Sequence, residues 1–128
     1  MDNCLVIFRG TTEMYRFPFE RIVYIEAITN ENWCRVYVAE PLKEHVNPME
    51  IPLLLNEIWK EIQRQIDGDH GIVPCGRSTL INPAYIRKID VSTKTIILSD
   101  GINHFTLNPI SREACIEIKA QMKKAFTF

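Results

Sequence analysis

Apolar residues in this chain fall into short runs of period two, separated by turn-forming residues, and take up a helical period in only two places. Such a pattern forces the backbone to satisfy most of its polar groups in sheet ladders. Cys4 to Phe8 is the first run, and it ends in the turn signal Arg9-Gly10-Thr11-Thr12. Met14 to Phe19 alternates loosely, and Pro18 suits an edge or a bulge because it cannot donate to a ladder. Arg21 to Ile28 is rich in β-branched and aromatic residues and reads as a buried strand. Thr29 to Asn32 has the composition of a hairpin loop. Trp33 to Ala39 then returns as a half-buried strand, with Trp33, Arg35 and Tyr37 on one face and Cys34, Val36 and Val38 on the other. Two further alternating runs, Tyr85 to Val91 and Thr95 to Leu98, are joined by Ser92-Thr93-Lys94. Ser99-Asp100-Gly101 is a hairpin signal before Ile102 to Leu107.

The helical period appears first between Pro52 and Ile66, where Leu54, Ile58, Ile62 and Ile66 recur every fourth residue beside Leu55 and Trp59. Pro52 in the first turn has no N–H to leave unsatisfied there. The second stripe is Ile110, Ala114, Ile118, Met122 and Ala125, with Arg112, Lys119 and Lys123 facing out. Asn108 as N-cap and Pro109 at the first position would start this terminal helix. Between Glu40 and Pro52 three prolines leave room for at most a short strand. The expected architecture is mainly β, with eight or nine short strands, one mid-chain helix and one C-terminal helix. No repeat, linker or low-complexity tract divides the chain, so residues 1–128 read as a single domain.

With 46% hydrophobic and 24% charged residues, the chain has the composition of a soluble globule. No apolar run approaches the roughly 20 residues of a membrane helix. Asp2 stands where a signal peptide carries a cation, which predicts a cytoplasmic protein. Cys4, Cys34, Cys75 and Cys115 form no C-x-x-C pair and read as reduced thiols, small buried hydrophobes rather than zinc or redox groups. The net charge of −1 is unevenly spread. Up to Pro74 there are seven basic and twelve acidic side chains; from Cys75 onward there are eight basic and four acidic. A basic second half is the footprint that phosphate binding requires.

Catalytic signatures are missing: there is no G-x-S-x-G, P-loop, dinucleotide glycine turn or H-E-x-x-H. His45, His70 and His104 have no nucleophile in sequence context, and the spacing of Asp67-Gly68-Asp69-His70 fits no calcium loop. The expectation is a protein that is not an enzyme, with no cofactor, no metal and no small-molecule substrate. The rings of Trp33, Tyr37 and Trp59 have the size to stack on bases, but their strand and helix spacing fits core packing better.

The polar segment Cys75-Gly76-Arg77-Ser78 stands apart, held between Val73 and the apolar pair Leu80-Ile81, with Asn82-Pro83 marking a turn beyond. A cation held between two anchored strands is presented outward at a fixed angle. Arg77 has two readings here, a base-contacting side chain and a surface ion pair with a first-half carboxylate. Asn82 before proline reads as satisfying local backbone.

In order along the chain, these segments resemble those of LytTR-type DNA-binding domains. Arg21-Ile22-Val23-Tyr24-Ile25-Glu26-Ala27 is similar to that family's "I-x-Y-I-E-A" strand, and Cys75 to Asn82 resembles its "h-R-S-y-l-V-N" segment. Ile86 follows at the family's spacing, then come a hairpin with Asp100-Gly101 and Ser111-Arg112 opening the last helix, so the resemblance runs in order from about Cys4 to Phe126. It implies an elongated fold of stacked, mainly antiparallel sheets whose loops enter successive major grooves. It also implies three contact regions: Asn32 after the first motif, Gly76-Arg77 with Ser78, and the start of the terminal helix. There the chain departs from the pattern, because Asn108-Pro109-Ile110 stands before Ser111-Arg112. A gapless reading puts Pro109 at the basic contact position; a three-residue shift restores Arg112. The resemblance implies a bacterial-type transcription regulator that binds double-stranded DNA; because one small module offers few base contacts, two copies on a repeated site, as a homodimer, are the expectation. The alternative is a protein-interaction module that pairs with and modulates another LytTR-type regulator.

Overall fold

The computed structural model describes residues 3–39, 47–65 and 71–125. The run from residue 21 to 28 lies at its centre as β3, Ile22–Ala27. It is hydrogen-bonded on one side to β4, Cys34–Val38, and on the other to β7, Thr79–Ile81. Two short edge strands, β5 (Met49–Ile51) and β6 (Val73–Pro74), complete a five-stranded antiparallel sheet in the order β5-β4-β3-β7-β6.

Both faces of this sheet are covered, which is why β3 reads as an unbroken apolar run rather than an alternating one. On one face, Ile22 and Ile25 join Cys34, Val36 and Val38 in a core closed by the β1–β2 hairpin and α1. On the other, Val23, Tyr24 and Ile81 join residues of the second hairpin system and α2. Strict alternation would put Val23 and Tyr24 on opposite faces. A bulge in the pairing with β4 between Ile22 and Tyr24 turns both to the second core.

The first covering layer is β1 (Cys4–Arg9) paired with β2 (Glu13–Pro18). Pro18 closes β2 at the end of a two-stranded ladder, as its missing N–H demands. α1, Leu55–Gln65, packs beside it with Ile58 and Ile62 buried. The helix begins later than its period suggests: Pro52 lies outside it and Leu54 is 43% exposed. The Glu57 carboxylate accepts from the Leu54 backbone N–H, so an acid three residues on closes the helix start that Leu54 has no side-chain oxygen to cap. Gln65 at the other end donates to the Val6 carbonyl and accepts from the Val6 N–H, supplying β1 with the two bonds a neighbouring strand would make.

The second layer is the three-stranded sheet β8 (Ile86–Asp90), β9 (Thr95–Ser99) and β10 (His104–Leu107), covered by α2, Arg112–Ala125. A ring cluster joins it to the central sheet: Tyr24 and Tyr37 stack with centroids 4.2 Å apart, and Phe105 of β10 meets both edge-on. Tyr37 is thereby engaged in packing, as strand spacing indicates, and is not a free stacking platform.

The fold is mainly β with two helices in stacked antiparallel layers. Ten strands stand among the described residues, one or two more than expected, because β5 and β6 are too short to read by alternation. Ile66, the 67–70 segment and residues 40–46 lie outside the described residues. No helix among the described residues is long and apolar enough to cross a membrane.

Candidate nucleic-acid interface

The C-terminal end of β3 carries the geometry of interest. Ala27 pairs with Cys34 there, so the β3–β4 loop lies at this end, and Glu26 pairs with Thr79, so the 75–78 segment lies there too. The Ala27 N–H donates to the Ser78 carbonyl at 2.9 Å, extending the ladder one residue past β7. The Cys75 N–H donates to the Thr79 carbonyl at 2.8 Å and closes the segment into a tight loop.

Gly76 turns that loop with φ +72°, a conformation that costs a side-chain-bearing residue on the order of 1–3 kcal/mol. A Cβ there would lie 3.8 Å from the Ala114 Cβ and 4.0 Å from the Ser111 Oγ, so the loop rests on the first turn of α2. Arg77 and Ser78 are exposed. Among the described residues, neither side chain makes a hydrogen bond or ion pair, which removes the surface-ion-pair reading of Arg77 within those residues. Cys75 beside them is buried, and burial pushes its thiol up to about 11, with Cys115 and Glu117 adding to the shift; it is an inert thiol at neutral pH.

Across the sheet, Asn30 adopts φ 64° in the β3–β4 loop, a conformation asparagine tolerates well. The Ile28 N–H donates to Trp33 and the Glu31 N–H to Ile28, so Asn32 sits exposed on a closed turn, its amide without a partner among the described residues. Trp33 is 39% exposed. Behind the loop, Arg35 lies 3.6 Å from Glu26 and 3.8 Å from Glu50 on the flanking strands. Tyr37 Oη also donates to Glu26. Two carboxylates near this end are thus offset by one guanidinium, while Glu31 and Glu113 stand without ion pairs among the described residues.

The third region differs from expectation. α2 begins at Arg112 rather than at Pro109. Its cap is Ser111, whose Oγ accepts from the Ala114 N–H at 3.2 Å. Asn108 does other work: its amide donates to the Thr93 carbonyl and the Thr95 Oγ1, and the Ile110 N–H donates to the Lys94 carbonyl. The added residues strap the start of α2 to the β8–β9 turn and bury Ile110 in the second core.

The start of α2 and the residues just before it therefore serve two surfaces. Pro109, Ile110, Ser111 and Glu113 line a hollow of about 420 Å³ together with Cys75 to Ser78. Arg112 lies on the adjoining face with Val91, Ile116, Lys119, Ala120 and Lys123. The structure thus places Pro109, not Arg112, beside Arg77, and brings in Glu113, which the sequence reading passed over. Asn82 is buried and satisfies backbone as its turn chemistry implies, donating to the Ile22 carbonyl and accepting from the Ala84 N–H.

No protein-family model matches the sequence, and no curated protein matches it significantly. A structural match covers 98% of this chain and 98% of the other, with a TM-score of 0.53 at 17% identity. That structure is the LytTr DNA-binding domain of a protein assigned as a methyl-accepting/DNA response regulator from Bacillus cereus. The chain has the fold of a LytTr domain. Within the LytTr-type fold, Asn32 and the Gly76–Ser78 loop share the end of the central sheet, and the start of α2 abuts the second of them. No cluster of three or more metal-ligating side chains occurs among the described residues.

Proposed function

We propose that this chain is a sequence-specific regulator of transcription of the bacterial type, and that it binds duplex DNA by presenting loops to the major groove. The observation that carries this reading is the gathering of Asn32, Gly76, Arg77 and Ser78 at one end of a sheet whose fold matches a LytTr DNA-binding domain. Arg77 is exposed there and without an ionic partner among the described residues. A guanidinium held this way pairs bidentately with guanine O6 and N7. Ser78 and the Asn32 amide supply phosphate or base-edge hydrogen bonds. Arg112, turned to the neighbouring face with Lys119, serves phosphates rather than bases. One module of this size offers few base contacts, so two copies on a repeated site supply the specificity.

The test is titration of a promoter fragment with wild type and Arg77→Ala at several salt concentrations. Arg77→Ala weakens binding to the preferred site by about tenfold, the worth of one bidentate pair. Added salt weakens both proteins. Binding indifferent to both salt and the substitution overturns the reading.

A further inference from the structure

The hollow beside Arg77 contains a carboxylate that DNA binding as described above gives no task. Glu113 lies in the first turn of α2 and is exposed. Its neighbours in the hollow are Cys75 to Ser78 and Pro109 to Ser111. Several other carboxylates of the described residues are engaged: Glu13 holds Arg9, Glu26 holds Arg35, Glu57 caps α1, and Glu61 holds Arg64, whereas Glu20, Glu31 and Glu117 lie outside this hollow and make no such contact among the described residues. Glu113 makes no such contact among the described residues. The capping of α2 is already done by Ser111.

We propose that Glu113 is a second base-reading side chain, accepting a hydrogen bond from the 4-amino group of cytosine beside the guanine taken by Arg77. The inference rests on the duplex-DNA reading and deepens it. Its chemistry follows from the base edges. In the major groove only cytosine and adenine offer a donor, their exocyclic amino groups. Adenine sets the N7 acceptor next to that donor, and N7 repels a carboxylate. Guanine and thymine present oxygen acceptors, which repel it too. A carboxylate at this place therefore costs affinity on every sequence, through the phosphates, and returns it only at cytosine. An arginine and a glutamate lining one hollow read the two bases of a G·C pair, or of two neighbouring pairs, with opposite signs.

The structural competitor is a carboxylate that merely complements the helix dipole in the first turn. Selection of bound duplexes from a random pool separates the two, using wild type, Glu113→Gln, Glu113→Ala and Arg77→Ala. Wild type selects a cytosine adjacent to, or paired with, the Arg77-dependent guanine. Glu113→Gln moves that preference from cytosine towards adenine, because an amide both donates to N7 and accepts from the 6-amino group. Glu113→Ala relaxes the cytosine preference by about tenfold while keeping the guanine. Both variants bind random DNA more tightly than wild type. A dipole-only role shifts the melting temperature and leaves the selected sequences alone, and that result overturns the inference while leaving the DNA reading intact. A wild-type protein that selects no sequence overturns the DNA reading itself, and this inference with it.

Discussion

Gly76 turns the loop that carries Arg77, and it does so in a left-handed conformation against the first turn of α2. Gly76→Ala has ordinary room for its methyl group, so its cost is conformational, about 1–2 kcal/mol of stability. Denaturant unfolding measures that loss. On the proposed duplex-DNA reading, the same variant also weakens binding in a titration with duplex DNA, because relief of the strain swings Arg77 away from its angle. At this scale the sequence was most legible where chemistry is local. Asn82 before proline satisfies its own turn and the β3 backbone, as an asparagine there is built to do. Arg77 stands out as an exposed cation between two apolar anchors. Glu113 was not legible, since its place depends on a loop almost forty residues earlier in the chain that docks on α2. No spacing rule within α2 points to it.

The helix starts show how one motif serves two purposes. Asn-Pro before an apolar stripe is a good signature for an N-terminus, and Ser-x-x-Ala three residues later is nearly as good. The side-chain bonds decide between them: Asn108 is taken by Thr93 and Thr95, which leaves Ser111 to cap. Ser111→Ala therefore costs about 1 kcal/mol through the helix end. Asn108→Ala costs a similar amount through the strap to the β8–β9 turn. Amide exchange tells them apart: loss of the cap speeds exchange in the first turn of α2, whereas loss of the strap speeds it in the 91–95 turn. α1 is a parallel case. Its apolar period extends back to Leu54, but the helix opens at Leu55 with Glu57 reaching back to the Leu54 N–H. Short edge strands such as β5 and β6 carry too few residues to show alternation, and only their pairing partners define them.

For the molecule as a whole, the decisive fact is that one sheet lines two cores. β3 sends Ile22 and Ile25 to one side and Val23 and Tyr24 to the other. β7, from the basic second half of the chain, pairs with β3 from the acidic first half. The break in charge at residue 75 is thus not a boundary between folding units. Ile25→Ala in the first core and Ile96→Ala in the second each cost about 2–5 kcal/mol. Each variant unfolds in a single transition, with far-UV and tyrosine signals superimposed. Two separate transitions in either variant would show that the layers melt independently. The continuous apolar run of β3 made its burial on both faces readable from sequence. The bulge that redistributes its side chains was hidden, because it is a property of the pairing with β4 and not of β3 alone.

The two bonds from Gln65 to Val6 also bear on how the protein behaves in a concentrated solution. An unpaired strand edge is a template for other chains, and here a side chain from a helix occupies it. The protection lasts only while α1 is docked. Any event that frees α1 bares the β1 edge beside Phe8, which is already exposed with the helix in place. A partly opened form with an undocked helix and an intact hairpin is therefore the one expected to associate, and colloidal lifetime is expected to follow the opening of α1, read by amide exchange, rather than global unfolding.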